Sequence, residues 1–270
     1  MDLHHPSRLP LELSSVFTAP RDPIIAYRFG RGRTGGSTWL DTIIQLALAA
    51  GRTPLVGDGD RRNPTLTALY PPGGAISVLP PPASDEIPDM KDYLTSCLAQ
   101  ALSLRRSLLV DLGGGDRALQ EYGRDLGLIE LCEAHGFQPV GFFSCGPEMD
   151  DFDHILAVWQ GGHFRPQHSL LVLNQALVPQ GRTPAGAFDQ IFARSEMKDL
   201  TAAGMLPVFM PRLPCLTEVR RAGFSLLDAA TGGANPDGTP FDPVRQFMVR
   251  QYMTKIMAEL ARVGALSWLP

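Results

Sequence analysis

The chain has 270 residues, a formal net charge of −4 and a hydrophobic fraction of 44%. That is enough apolar sequence for one large α/β domain or two small ones, and the acidic balance argues against strong non-specific binding to nucleic acid. No charged start followed by an apolar stretch marks a signal peptide, and no apolar run approaches the ~18 residues of a membrane span, so a cytoplasmic protein is expected.

Residues 1–22, rich in Pro, His and Ser, read as an N-terminal arm in which His4 and His5 are ordinary exposed histidines. The apolar run Ile24 to Phe29 reads as a buried strand. Gly30-Arg31-Gly32-Arg33-Thr34-Gly35-Gly36-Ser37-Thr38 follows as a glycine-rich turn, and Trp39 to Ala50 as a helix stopped by Gly51. A second strand, Thr53 to Gly57, ends in Asp58-Gly59-Asp60, completing one right-handed βαβ unit. Beyond a polar loop and short helix (61–69) and the breakers Pro71 to Gly74 come a weak strand at 75–79 and a helix at 85–106.

The strand Ser107 to Asp111 ends in a carboxylate before Leu112-Gly113-Gly114-Gly115-Asp116. A helix over 119–135, a strand over 138–145, a helix over 149–159 and a strand over 169–174 follow, the last closing on Asn174. Helical pieces at 185–203, a strand at 205–210, the turn Pro211 to Pro214 and a helix at 216–230 complete the alternation. A Gly/Pro/Asn loop then leads to a C-terminal helix at 244–263 with Phe247, Met248, Tyr252, Ile256, Met257 and Leu260 near helical spacing. Packing on the domain is favoured over a membrane-surface role for this helix.

The expected architecture is a doubly wound, mostly parallel α/β sheet with helices on both faces, spanning residues 23–231, with 232–270 as a loop and helix packed on it. Ligands in such folds sit at the carboxyl ends of the strands. The glycine-rich turn, Asp58 with Asp60, and Asp111 with its glycines all fall there. Only Lys91, Lys198 and Lys255 are lysines, so arginine must supply phosphate contacts elsewhere. Cys97, Cys132, Cys145 and Cys215 have no ligand spacing and read as buried thiols.

A turn of glycines between a strand and a helix aims backbone N–H groups at an anion, and the helix N-terminus adds its positive dipole end. Ser37 can offer a hydroxyl to Mg²⁺, with Thr38 beside it. Asp111 has the character of a metal-shell aspartate at a strand end, and Asp58 or Asp60 can orient water or the metal shell. Each aspartate taken alone fits a helix cap or a loop carboxylate as well. The glycines at 113–115 suit a switch that senses a terminal phosphate.

The ordered motifs resemble those of the ParA/MinD family of deviant-Walker P-loop ATPases. They are Arg31 to Thr38, Asp58-Gly59-Asp60 with Asn63, Asp111-Leu112-Gly113-Gly114-Gly115, Asn174 and Pro211. Within the family, Asp111, His135 to Val140 and Leu171 to Gln175 are most similar to plasmid TraL-type proteins of conjugative transfer.

The resemblance implies a nucleotide switch with ATP or ADP and Mg²⁺. Gly32, Arg33, Thr34, Gly35, Gly36, Ser37 and Thr38 would hold the phosphates, and Asn174 and Pro211 would flank the base. Ser37, Asp58 and Asp111 would serve the metal, and Asp60 and Arg31 catalysis. It implies a homodimer, with protein partners in a transfer, partition or secretion machine and a weaker link to DNA, for which Arg220, Arg221, Arg245 and Arg250 are candidates. Two departures stand out. Arg31 matches the family's signature lysine, and Gly36 matches the P-loop lysine. The missing ammonium argues against efficient hydrolysis. A pseudo-ATPase interaction module is the alternative. A dinucleotide enzyme is a third reading, from the GxGxxG pattern at 30–35 with Asp58 as the ribose carboxylate.

Overall fold

The computed structural model describes residues 21–113, 116–184, 186–233 and 238–270. The N-terminal arm through residue 20, with His4 and His5, and the glycines Gly114 and Gly115 lie outside the described residues.

Seven parallel strands form one sheet. They are β1 (Ile24–Phe29), β2 (Leu55–Asp58), β3 (Ser77–Val78), β4 (Leu108–Asp111), β5 (Gln138–Cys145), β6 (His168–Asn174) and β7 (Met205–Met210), in the spatial order β3-β2-β4-β1-β5-β6-β7. Eleven α-helices are described: α1 (Gly36–Ala49), α2 (Thr65–Leu69), α3 (Ile87–Leu104), α4 (Asp116–Leu126), α5 (Leu128–Ala134), α6 (Met149–Gly161), α7 (Asp189–Phe192), α8 (Ser195–Ala202), α9 (Leu216–Arg221), α10 (Leu226–Thr231) and α11 (Pro243–Arg262). This is the doubly wound α/β architecture expected from the alternation of elements.

A parallel sheet covered on both faces needs buried, mostly apolar strands, and all six residues of β1 are buried, five of them hydrophobic and one the charged Arg28. Its side chains alternate between two cores. Ile25, Tyr27 and Phe29 join the core beneath α3 to α8, while Ile24 and Ala26 join the one beneath α1, α10 and α11. The C-terminal helix is part of the second core. Val249, Met253, Ile256 and Leu260 are buried there with Val208 of β7, and the Tyr252 hydroxyl lies 2.9 Å from that of Thr42 on α1. Val244, Phe247 and Met248, at the start of the same helix, are exposed.

Two single helices expected from the sequence are each broken in two. The first divides at Gly127 (φ +64°) and the second at Gly223 (φ +75°). Left-handed backbone ends a helix turn whatever apolar pattern continues past it, and glycine adopts it freely. The strand expected at 75–79 shrinks to two residues at the sheet edge.

Candidate phosphate-binding site

β1 ends at the centre of the sheet, and the chain turns there through Gly30 (φ +127°). A β-carbon at that position would stand 2.4 Å from the backbone oxygen of Ser144 on β5, so only glycine lets the loop leave so close to its neighbour. Arg31, Gly32 and Arg33 form an exposed crest, with Arg33 itself in left-handed backbone (φ +70°). Thr34 turns back inward and is buried. Gly35 (φ +90°) then delivers the chain into α1, whose first helical bond runs from Trp39 N to Gly35 O. The amides of Gly36, Ser37 and Thr38 precede that bond and have no intrahelical acceptor, the usual condition of a first helical turn.

The side chain that organises this loop was not among the residues expected to carry function. Arg28 lies on β1, 3% exposed, and its guanidinium passes beneath the loop. Nη1 donates to Gly113 O at 2.6 Å and stands 3.9 Å from Asp111 Oδ1. Nη2 donates to Arg31 O at 3.0 Å and Thr34 Oγ1 at 2.8 Å. A β-carbon at Gly36 would lie 1.7 Å from Arg28 Nε and 2.4 Å from Cζ. Gly36 and Arg28 therefore form one arrangement, in which the guanidinium occupies the space into which a residue-36 side chain would grow. A sequence signal for Arg28 did exist. One charged residue interrupts an otherwise apolar central strand, and a buried charge needs partners.

Ser37 and Asp111 are brought together. Ser37 Oγ donates to Asp111 Oδ2 at 2.6 Å, and Gly113 N donates to Oδ1 at 3.0 Å. Asp111 is buried, as is Asp58, its partner in the β2–β4 register. Asp58 also makes a contact of its own. Its Oδ2 accepts from Thr67 N on α2 at 2.8 Å. Asp60 Oδ1 accepts from Asn63 N at 3.0 Å, and its carboxylate lies against Gly113, where a β-carbon would meet Oδ2 at 2.5 Å. Among the described residues no three or more His, Cys, Asp or Glu side chains gather as a metal cluster.

Burial raises the Asp58 carboxyl above the usual carboxylate range. The bond from Thr67 offsets part of that, and Asp111 adds to it. A carboxyl raised in the folded state costs stability as pH climbs through its unfolded value toward the folded one, and costs nothing below the former. Asp58→Asn should therefore match the wild type in thermal melts near pH 4. It should equal or exceed it at pH 7.5, while leaving any Mg²⁺ dependence of ligand binding unchanged.

The remaining expected site residues are placed as follows. Arg31 lies 3.6 Å from Asp150 Oδ2 and 3.5 Å from Asp151 Oδ1 at the start of α6. These residues, with Gly32, Glu148 and Arg182, line an open cleft of about 640 Å³, a size that admits a nucleotide-sized ligand. Asn174 is buried. Its Nδ2 donates to Thr34 O at 2.9 Å and its Oδ1 accepts from Ala176 N at 2.9 Å. Pro211 is half-buried just past β7, whose Met210 Cε would stand 3.0 Å from a β-carbon at Gly35. Thr38 Oγ1 accepts from Arg220 Nη2 at 3.1 Å, so Arg220 is turned inward onto α1 while Arg221 is exposed.

No protein-family model matches the chain. No curated protein matches it either. Among solved structures it is similar to the signal recognition particle receptor FtsY from Elizabethkingia anophelis, at 11% identity over 91% of this chain and 71% of that one, with a TM-score of 0.46. It is also similar to chloroplast FtsY from Physcomitrella patens (10% identity, 88% and 72% covered, TM-score 0.48). The cell division protein FtsY from Thermotoga maritima is a third (12% identity, 88% and 74% covered, TM-score 0.45).

Proposed function

We propose that the protein is a P-loop-type nucleotide-binding switch whose loop cation comes from the strand beneath it instead of from the helix. The observation that carries this is Arg28. A buried guanidinium lies against Gly36, where the P-loop pattern has its lysine, and its Nε has no hydrogen-bond partner. An orphaned donor beside first-turn amides that have no intrahelical acceptor suits an anion. The Ser37 hydroxyl backed by Asp111 suits Mg²⁺, which would take its other ligands from phosphate and water. A nucleoside di- or triphosphate with Mg²⁺ fits this set.

Turnover on such a site is slow or absent. A P-loop lysine is a flexible point charge that can follow the phosphate whose charge grows in the transition state. Arg28 is fixed by three hydrogen bonds to protein acceptors and has no such freedom. Binding without efficient hydrolysis also describes a pseudo-ATPase module, and the fixed guanidinium favours that end of the range. The order of Arg31, Asp58, Asp60, Asp111 and Asn174 supports a ParA/MinD-like switch using ATP or ADP. In that reading the protein works as a homodimer with protein partners in plasmid transfer or partition, and Arg31 leaves Asp150 and Asp151 to act on phosphate.

Titration calorimetry with Mg²⁺-ATP, Mg²⁺-GTP, NAD⁺ and pyrophosphate tests the reading. Saturable binding of a nucleoside triphosphate, weakened without Mg²⁺, is expected. No binding of any of the phosphates at high micromolar concentration would overturn it, and a preference for NAD⁺ would favour a dinucleotide site.

A further inference from the structure

We infer that Arg220 is a second phosphate ligand of this site, taking the phosphate that lies along α1 beyond the one enclosed by the loop. This rests on the nucleotide reading above and adds a residue that neither motif nor resemblance assigns.

The geometry supplies the argument. Arg220 comes from α9, after β7, and reaches the first turn of α1 at Thr38, the residue after Ser37. Ser37 Oγ donates to Asp111, and Thr38 Oγ1 accepts from Arg220 at 3.1 Å. Two further observations, independent of the helix end, point to an anion here. Arg28 is 3% exposed with Nε unpartnered against Gly36, and Nε of Arg220 is likewise buried without a partner.

The two guanidiniums differ in what they can do. Arg28 is committed to Gly113 O, Arg31 O and Thr34 Oγ1. Arg220 has one hydrogen bond, to a neutral hydroxyl, and its side chain is 31% exposed. Its nearest carboxylate, Asp41, is 3.9 Å away. Asp41 is buried and Arg220 is its charged partner, while Asp41 Oδ1 also accepts from the Tyr70 hydroxyl at 2.6 Å. Arg220 can exchange its bond to the neutral Thr38 hydroxyl for one to a phosphate oxygen, while Asp41 keeps the hydrogen bond from Tyr70. An arginine suits that oxygen because its fork of donors matches phosphate geometry.

The test compares wild type with Arg220→Met and Arg221→Met, using calorimetry with Mg²⁺-ATP and Mg²⁺-GTP and thermal melts of each variant. A hydrogen bond to a charged group is worth about 1.5–3 kcal/mol, so Arg220→Met should weaken nucleotide binding about tenfold to a hundredfold. Arg221→Met should bind as wild type does. A second measurement needs no variant. Phenylglyoxal labels accessible arginines, and saturating Mg²⁺-ATP should protect Arg220 and leave Arg221 reactive, as read by peptide mass spectrometry. Wild-type affinity in Arg220→Met, or equal labelling of Arg220 with and without bound nucleotide, would overturn this inference and spare the nucleotide reading. Absence of nucleotide binding by the wild type would overturn both.

Discussion

Gly36→Lys alone should destabilise the protein and fail to create an active P-loop, whereas Arg28→Met with Gly36→Lys should recover stability and gain turnover. A side chain at residue 36 must displace Arg28, because its β-carbon would stand 1.7 Å from Nε. Long side chains usually yield to such a contact. Arg28 has nowhere to go, being 3% exposed and held by Gly113 O, Arg31 O and Thr34 Oγ1. Overpacking of this kind costs about 1–3 kcal/mol. Arg28→Met alone removes the cation nearest Asp111 and leaves the acceptors unpaired, a loss of about 3–5 kcal/mol for breaking a buried pair. At about 2–4 °C per kcal/mol for a chain near this size, that is a fall of about 6–20 °C in melting temperature. The double variant returns a cation to the same space from the helix side. It should melt above both single variants and hydrolyse ATP about 10²-fold faster than wild type, the scale of one electrostatic catalytic group. Wild-type melting of Gly36→Lys would refute the steric exclusion. A double variant no more stable than the more stable single would refute the idea that Arg28 stands in for the lysine.

The second large effect is expected at Asn174. Its amide ties β6 to the loop through Thr34 O, and its Oδ1 caps the short turn at Ala176. Asn174→Ala leaves one acceptor and one donor without partners near the core, a cost of about 2–4 kcal/mol at about 1–2 kcal/mol each. Its functional consequence separates two roles. An anchor for the loop affects every phosphate ligand, so ATP, GTP and pyrophosphate should all weaken by a similar factor. A contact to the base would weaken the nucleotides and spare pyrophosphate, and that selective pattern in calorimetry would show that Asn174 reads the base.

The architecture was legible because it rests on periodicity. β1, β4, β5 and β6 are continuous apolar runs, each followed by turn residues and then a helical pattern, and a buried parallel sheet leaves that trace. The broken helices were not legible, since Gly127 and Gly223 look like tolerated glycines until φ is known. The loop, Ser37 and Asp111 were also visible as candidates, because a strand-end carboxylate and the first turn of the helix after the central strand meet at the carboxyl end of a parallel sheet. What the loop does with its charge was hidden. A motif reads position 36 as a missing lysine. The structure shows the space filled from eight residues earlier in the chain, by a side chain whose direction depends on the sheet register. Asp58 was ambiguous for the same reason: a strand-end carboxylate fits metal or cap equally, and no motif shows its bond from Thr67 N at 2.8 Å.

The contact between Arg28 and Gly36 also sets an order on sequence change. In a lineage that began with lysine at 36, arginine could not enter at 28 first, because the two side chains claim one space. Lysine had to shrink to glycine before arginine arrived, and once Arg28 had bonded Gly113, Arg31 and Thr34, the return step became the obstructed one. The exchange works as a ratchet. It also leaves a readable mark, an arginine two residues before the first loop glycine together with glycine in the lysine position. Sequences bearing both marks are those in which the same packing of arginine against residue 36 is expected.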